Sequence, residues 1–315
     1  ALGRWLPTVS DVLEARSLER SQRCLPLLEA LAQWPQERWG GGAAAALPLL
    51  ALGRLRSALG AYGAAVEALE AGLKRTQSLA EGAGLRSGFL VALAGIERER
   101  GQLEAAERQC RQALALLEPG GVGGEEGSES RDLERAEALN GLGLVLHERG
   151  DPSAEELLRQ ALELRRQRLG DDHPLVQVSR NNLARSLAAL GRPAEAKALY
   201  QQALSSLGEE PCEVAMAVHN NLAFLAMAEG RAEEAFAELE EAVRLAGLAM
   251  GERHPRRGEL LKNLGIVAEQ LGHRDAAEQH YRQALELVSD AWGPEDPRSQ
   301  ECRLTLEAFL AEQQA

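Results

Sequence analysis

The chain has 315 residues and a net charge of −13, which argues against nucleic acid as a partner, because phosphate binding needs a basic stripe that displaces counterions. No apolar run approaches the about 18 uncharged residues of a membrane-spanning helix, so no transmembrane segment is expected. Aromatic content of 3%, hydrophobic content of 45% and the lack of strand-like alternation point to an all-α protein with closely packed helices.

Residues 1–42 read as an N-terminal helical cap. A Ser10-Asp11 cap starts a helix, which is expected to break or kink near Pro26 and to end by Pro35. Three of the four tryptophans, Trp5, Trp34 and Trp39, fall in this segment. They either cover the apolar end of the helices beyond residue 42 or form an N-terminal docking site for a partner; both readings stand.

From residue 43 a unit recurs. Gly60, Gly101, Gly150, Gly191, Gly230 and Gly272 are separated by 41, 49, 41, 39 and 42 residues. Each is preceded by a leucine followed by a small residue: Leu52-Gly53, Leu93-Ala94, Leu142-Gly143, Leu183-Ala184, Leu222-Ala223 and Leu264-Gly265. After each glycine come two small residues two helical turns apart, such as Ala65 and Gly72 or Ala277 and Ala284, with a larger one between them, such as Leu69 or Tyr281. The spacing predicts a helix, a tight turn at the glycine and a second helix in each unit. One such pair cannot bury its apolar face alone, whereas stacked neighbours can.

These residues resemble the tetratricopeptide repeat family, whose pattern of Leu-Gly/Ala, Gly and two spaced small residues they match six times between about Leu47 and Ala291. The units are longer than the usual ~34 residues. With connections such as GDDHP (Gly170 to Pro174) and GERHP (Gly251 to Pro255) and the NNLA motifs at Asn181 and Asn220, they look like the kinesin-light-chain-like subclass. The resemblance implies a right-handed α-solenoid of about six helix pairs with N- and C-terminal capping helices. Repeats 1–2 are expected at 43–117, a flexible acidic Gly-rich loop at 118–133, repeats 3–6 at 134–292 and a C-terminal capping helix at 298–312. The loop contains PGGVGGEEGSES, and from Glu118 to Glu134 six acids face one arginine. His173 and His254, just before prolines, read as turn residues bonding local backbone.

All six asparagines, Asn140, Asn181, Asn182, Asn220, Asn221 and Asn263, stand one or two residues before the Leu-Gly or Leu-Ala pair, in a composition with only three lysines among 35 basic residues. In the family's geometry the first helix of each pair lines the concave surface. Projected onto this chain, the resemblance implies a partner-binding groove from Asn140, Asn181, Asn182, Arg185, Asn220, Asn221, Phe224, Met227, Lys262, Asn263 and Ile266. A carboxamide offers both donor and acceptor to an extended peptide backbone, while Phe224, Met227 and Ile266 receive side chains. The competing reading is that the asparagines bond neighbouring helices and hold the stack; both remain open. With only Lys262 and Arg185 as groove cations, a carboxylate clamp for chaperone tails is not expected.

No phosphate-binding loop, metalloprotease helix or nucleophile elbow is present, so no catalysis is expected. His273 and His280 lack a third ligand, so no metal or other cofactor is expected. Cys24, Cys110, Cys212 and Cys302 form no CxxC pair and read as small hydrophobes in a reducing intracellular compartment, cytoplasm or organelle interior. The first residue, Ala1, fits either removal of an upstream targeting peptide or truncation. Two functions follow from different classes: an adaptor that binds a partner segment in the groove of repeats 3–6, or a structural or assembly subunit of a larger multiprotein complex, acting as a spacer through its ends and convex face.

Overall fold

The structure, a computed structural model, describes residues 18–33, 43–77, 82–118, 129–208 and 211–312. Trp5, Trp34, Trp39 and most of the acidic insertion lie outside the described residues. Among the described residues there are fourteen α-helices and no strand. The chain forms two compact units, residues 1–190 and 191–315.

In the first unit, α1 (Leu18–Gln33) precedes the pairs α2 (Leu47–Ala58) with α3 (Tyr62–Thr76), α4 (Ala83–Glu99) with α5 (Leu103–Leu116) and α6 (Glu129–Glu148) with α7 (Ala154–Leu169), and α8 (Pro174–Ala189) closes it. The second unit starts with α9 (Pro193–Leu207), followed by α10 (Glu213–Ala228) with α11 (Ala232–Met250), α12 (Pro255–Gln270) with α13 (Arg274–Trp292), and α14 (Pro297–Glu312). Within each unit the pairs stack in chain order.

The turns confirm the role of the recurrent glycine. Gly60, Gly101, Gly150, Gly191, Gly230 and Gly272 all have φ between 72° and 77°, a region that carries a steric penalty for residues with a Cβ. At the longer connections His173 and His254 cap helices as read from sequence: their Nδ1 atoms accept from the backbone N–H of Leu175 at 3.1 Å and Arg256 at 3.2 Å.

Packing explains the small residues. A Cβ on Gly143 would sit 2.7 Å from Leu158 Cγ, and one on Gly265 would sit 2.6 Å from Tyr281 Cε1. The small residue after the leucine is therefore the socket for the large residue of the second helix. The second small position serves the next repeat: a Cβ on Gly72 would meet Phe89 Cε1 at 2.2 Å, and Phe89 is fully buried. In α14 this socket position holds Glu307, which is exposed, so α14 does not offer the close approach that the six preceding first helices do.

Two boundaries differ from the sequence reading. Of the break or kink expected near Pro26 the break is absent: α1 continues through Pro26, with Leu28, Leu31 and Ala32 buried and Glu29 paired with Arg56 of α2 at 2.8 Å. The acidic loop, expected to last to residue 133, is already helical at Glu129. Glu129 and Asp132 lie in the first turn of α6, where carboxylates complement the helix dipole, and Asp132 accepts from Arg168 Nε of α7 at 2.7 Å.

Candidate partner-binding site

The asparagines form rungs between neighbouring first helices. In the first unit Asn182 Nδ2 donates to Asn140 Oδ1 at 2.9 Å, and Asn181 Nδ2 lies 3.5 Å from Asn182 Oδ1. In the second, Asn263 Nδ2 donates to Asn220 Oδ1 at 3.1 Å. Both rungs follow one rule: the amide immediately before the leucine donates to the amide two before the leucine of the preceding repeat. Asn181 and Asn182 are buried, at 8% and 9% exposure, while Asn140, Asn220, Asn221 and Asn263 are half-buried.

The same register explains why the first two repeats lack asparagine. Their equivalent positions carry Leu50 and Ala51, both buried, and Val91 and Ala92. Gly141 takes the donor position in α6, where an added Cβ would already lie 3.3 Å from Cys110 Sγ and 3.5 Å from Val91 Cγ1. An amide there would have little room and an apolar neighbour instead of an acceptor.

The first unit lays its own charged side chains over one face of α4. In α4 Gly84, Gly88 and Gly95 fall on one helical face. Over this bare face Arg54 Nη2 of α2 reaches Glu137 Oε1 of α6 at 2.5 Å, bypassing one repeat. The Glu134 carboxylate rests against Gly84, and burial raises its pKa while a hydrogen bond from Ser130 opposes the shift. Deeper still, Arg165 is buried, donates to Ser179 Oγ at 2.8 Å and Leu175 O at 3.3 Å, and has its pKa lowered by burial. Arg185 is half-buried; its charge, after burial, is the second cause of the lowered pKa of His147. Arg54 was not singled out in the sequence; the glycine spacing in α4 was the available signal.

The second unit differs. Phe224 of α10 is 55% exposed and Ile266 of α12 is 45% exposed. Phe224 follows Asn220 by one helical turn, and Ile266 follows Asn263 by three residues, so both lie beside the Asn220–Asn263 rung. Lys262, expected as a groove cation, is instead matched by Glu301 of α14 at 2.7 Å. That pair links α12 to α14, on which Leu304, three residues after Glu301, is 65% exposed. Sequence reading treated α14 only as a cap and missed Leu304, which stands in the register of Lys262. Met227 is half-buried against the core cluster of α10, α11 and α12. On the side toward α11, His219 Nδ1 and Glu238 Oε2 are 2.6 Å apart.

Residues 134–208 and 214–290 match the family model described as tetratricopeptide repeat. No curated protein matches the sequence. Among solved structures, the chain is similar to BtubC (BKLC) from P. vanneervenii, with 19% identity, TM-score 0.52, and 77% of this chain and 91% of that one covered. It is also similar to a single-residue variant of the Podosopora anserina putative kinesin light chain nearly identical TPR-like repeats, with 25% identity, TM-score 0.50 and coverage of 67% and 97%. A chain of the APC/C hetero-tetramer Cut9-Hcn1 matches with 14% identity and TM-score 0.59, covering 96% of this chain and 48% of that one. At these identities the likenesses to BtubC and to the Cut9-Hcn1 assembly speak for the fold.

Proposed function

Because residues 134–208 and 214–290 are tetratricopeptide repeats in an all-helical chain, we propose that this protein is a non-catalytic adaptor that captures a segment of a partner protein on the inner face of its second unit. Repeats of this family serve as protein-interaction scaffolds. The observation that carries the location is the pair Phe224 and Ile266, exposed on adjacent first helices and flanked by the Asn220–Asn263 amides. In the first unit, by contrast, Arg54, Glu134 and Glu137 lie over the glycine face of α4.

Site-specific photocrosslinking tests the placement. A photoreactive residue at Phe224 or Ile266 is expected to capture a partner, whereas the same residue at Leu248, 59% exposed on the second helix α11, is not. Capture at Leu248 and not at Phe224 or Ile266 overturns the groove and favours the spacer role through the convex face.

A further inference from the structure

Asn140 and Gly141 form the chain's one Asn-Gly pair, whereas the other five asparagines precede asparagine or leucine. We infer that Asn140 is a latent modification site: it deamidates to aspartate and isoaspartate once α6 opens, and the helix and the Asn182 rung keep it amidated in the folded first unit. The inference does not rest on the groove proposed above, and its only co-reactant is water.

The reaction is local. The main-chain nitrogen of Gly141 attacks Asn140 Cγ, and the new C–N bond closes a five-membered succinimide. The side-chain nitrogen leaves as ammonia, taking up through solvent the proton that Gly141 has lost. Water that opens the ring at Cγ gives aspartate; water that opens it at the main-chain carbonyl carbon gives isoaspartate. Glycine favours the attack, because without a Cβ it neither shields its own nitrogen nor restricts the rotation that ring closure requires.

Packing puts the glycine there. A Cβ at Gly141 would lie 3.3 Å from Cys110 Sγ and 3.5 Å from Val91 Cγ1. The fold that installs the reactive pair also blocks it. Inside α6 the Gly141 N–H is directed to the carbonyl of Glu137, and a helical ψ of about −42° turns the nitrogen away from Cγ. Two other helices pin this turn: Asn182 Nδ2 donates to Asn140 Oδ1 at 2.9 Å, and Arg54 Nη2 donates to Glu137 Oε1 at 2.5 Å. Asn140 and Gly141 are half-buried, so solvent reaches the pair as soon as the turn opens.

The two products differ in what the fold can take back. Aspartate at this position still accepts from Asn182. Isoaspartate adds a methylene to the main chain inside the 13-atom hydrogen-bonded ring of the helix, so α6 does not restore its ladder and opening becomes irreversible.

The test incubates the full chain at mildly alkaline pH, folded or in urea, and follows each asparagine by peptide-mapping mass spectrometry. In urea Asn140 is expected to convert before the other five, and in the folded chain at least about a hundredfold more slowly than in urea. Asn182→Ala is expected to raise the folded-state rate about fivefold, with unchanged circular dichroism. Arg54→Ala should raise it by a smaller factor. Equal rates in the folded chain and in urea, or another asparagine converting first in urea, overturn the inference. Folded-state rates unchanged in both variants overturn the guard by the neighbouring helices. Where Asn182→Ala fails to fold, the wild-type rate in urea below the unfolding transition decides: it is expected to rise in parallel with hydrogen exchange of the Gly141 amide, and a rate indifferent to urea overturns the inference.

Discussion

Asn182 donates its amide N–H to the side-chain oxygen of Asn140, 42 positions earlier, at 2.9 Å. The donor is buried and the acceptor half-buried, so the bond joins two first helices at the boundary between core and inner face. Asn182→Ala is expected to cost about 1 kcal/mol, with water reaching the oxygen of Asn140 in the variant. In a double-mutant cycle with Asn140→Ala, urea titration should give a coupling of about 0.5–1 kcal/mol. Strict additivity would show that the rung contributes nothing to the stack.

Gly265 and Gly95 both lie within first helices but differ in what surrounds them. Gly265→Ala puts a methyl 2.6 Å from Tyr281 Cε1, and overpacking of about 1–3 kcal/mol should exceed the helix-propensity gain of about 1 kcal/mol. Around Gly95 nothing lies within 4 Å, so Gly95→Ala should raise the melting temperature by relieving about 0.5–1 kcal/mol of glycine penalty. Equal effects of the two changes would contradict the packing explanation.

The ion pair over the glycine face of α4 has side chains 17% and 38% exposed, so its contribution should be about 1 kcal/mol or less and should shrink with salt. Hydrogen exchange is the sharper readout. Arg54→Ala is expected to accelerate exchange within residues 83–99, which the pair spans, while leaving the second unit's rates unchanged.

Thiol chemistry should follow burial. The Cys110 thiol is fully buried and its pKa is pushed up to about 12, chiefly by desolvation, so it should resist alkylation until the first unit unfolds. Cys24 and Cys212 are half-buried and should react first; mass spectrometry after a short iodoacetamide pulse identifies the order.

Acid should weaken the second unit partly through one capping histidine. Burial, with the neighbouring Arg256 charge, lowers the pKa of His254 from 6.5 to about 4. Between these values the unfolded chain binds the proton more readily than the folded one, so the stabilisation present above pH 6.5 is lost as pH falls toward 4. His254→Asn keeps a side-chain acceptor for the Arg256 N–H without titrating, and should give a shallower acid decline of melting temperature than wild type.

The helix pairs, their period and their turns are legible in the sequence because their causes are local. A glycine at φ near 75° ends a helix wherever it stands, and residues two turns apart share a face whatever lies beyond them. His173 and His254 likewise find their partners two residues away, so their reading as caps needed no tertiary information. The candidate site was legible only as a register: the positions of Asn220, Phe224, Asn263 and Ile266 follow from the repeat.

Their partners do not follow from it. Whether Asn140 meets Asn182, whether Lys262 is free or bound to Glu301, and whether Arg54 can reach Glu137 across 83 positions depend on which side chains the stack brings within about 3 Å. A hydrogen bond or ion pair exists only at that range, and a one-dimensional pattern carries no distances. Tertiary packing alone therefore decides that the first unit lays the Arg54–Glu137 pair over the glycine face of α4, while the second leaves Phe224, Ile266 and Leu304 exposed.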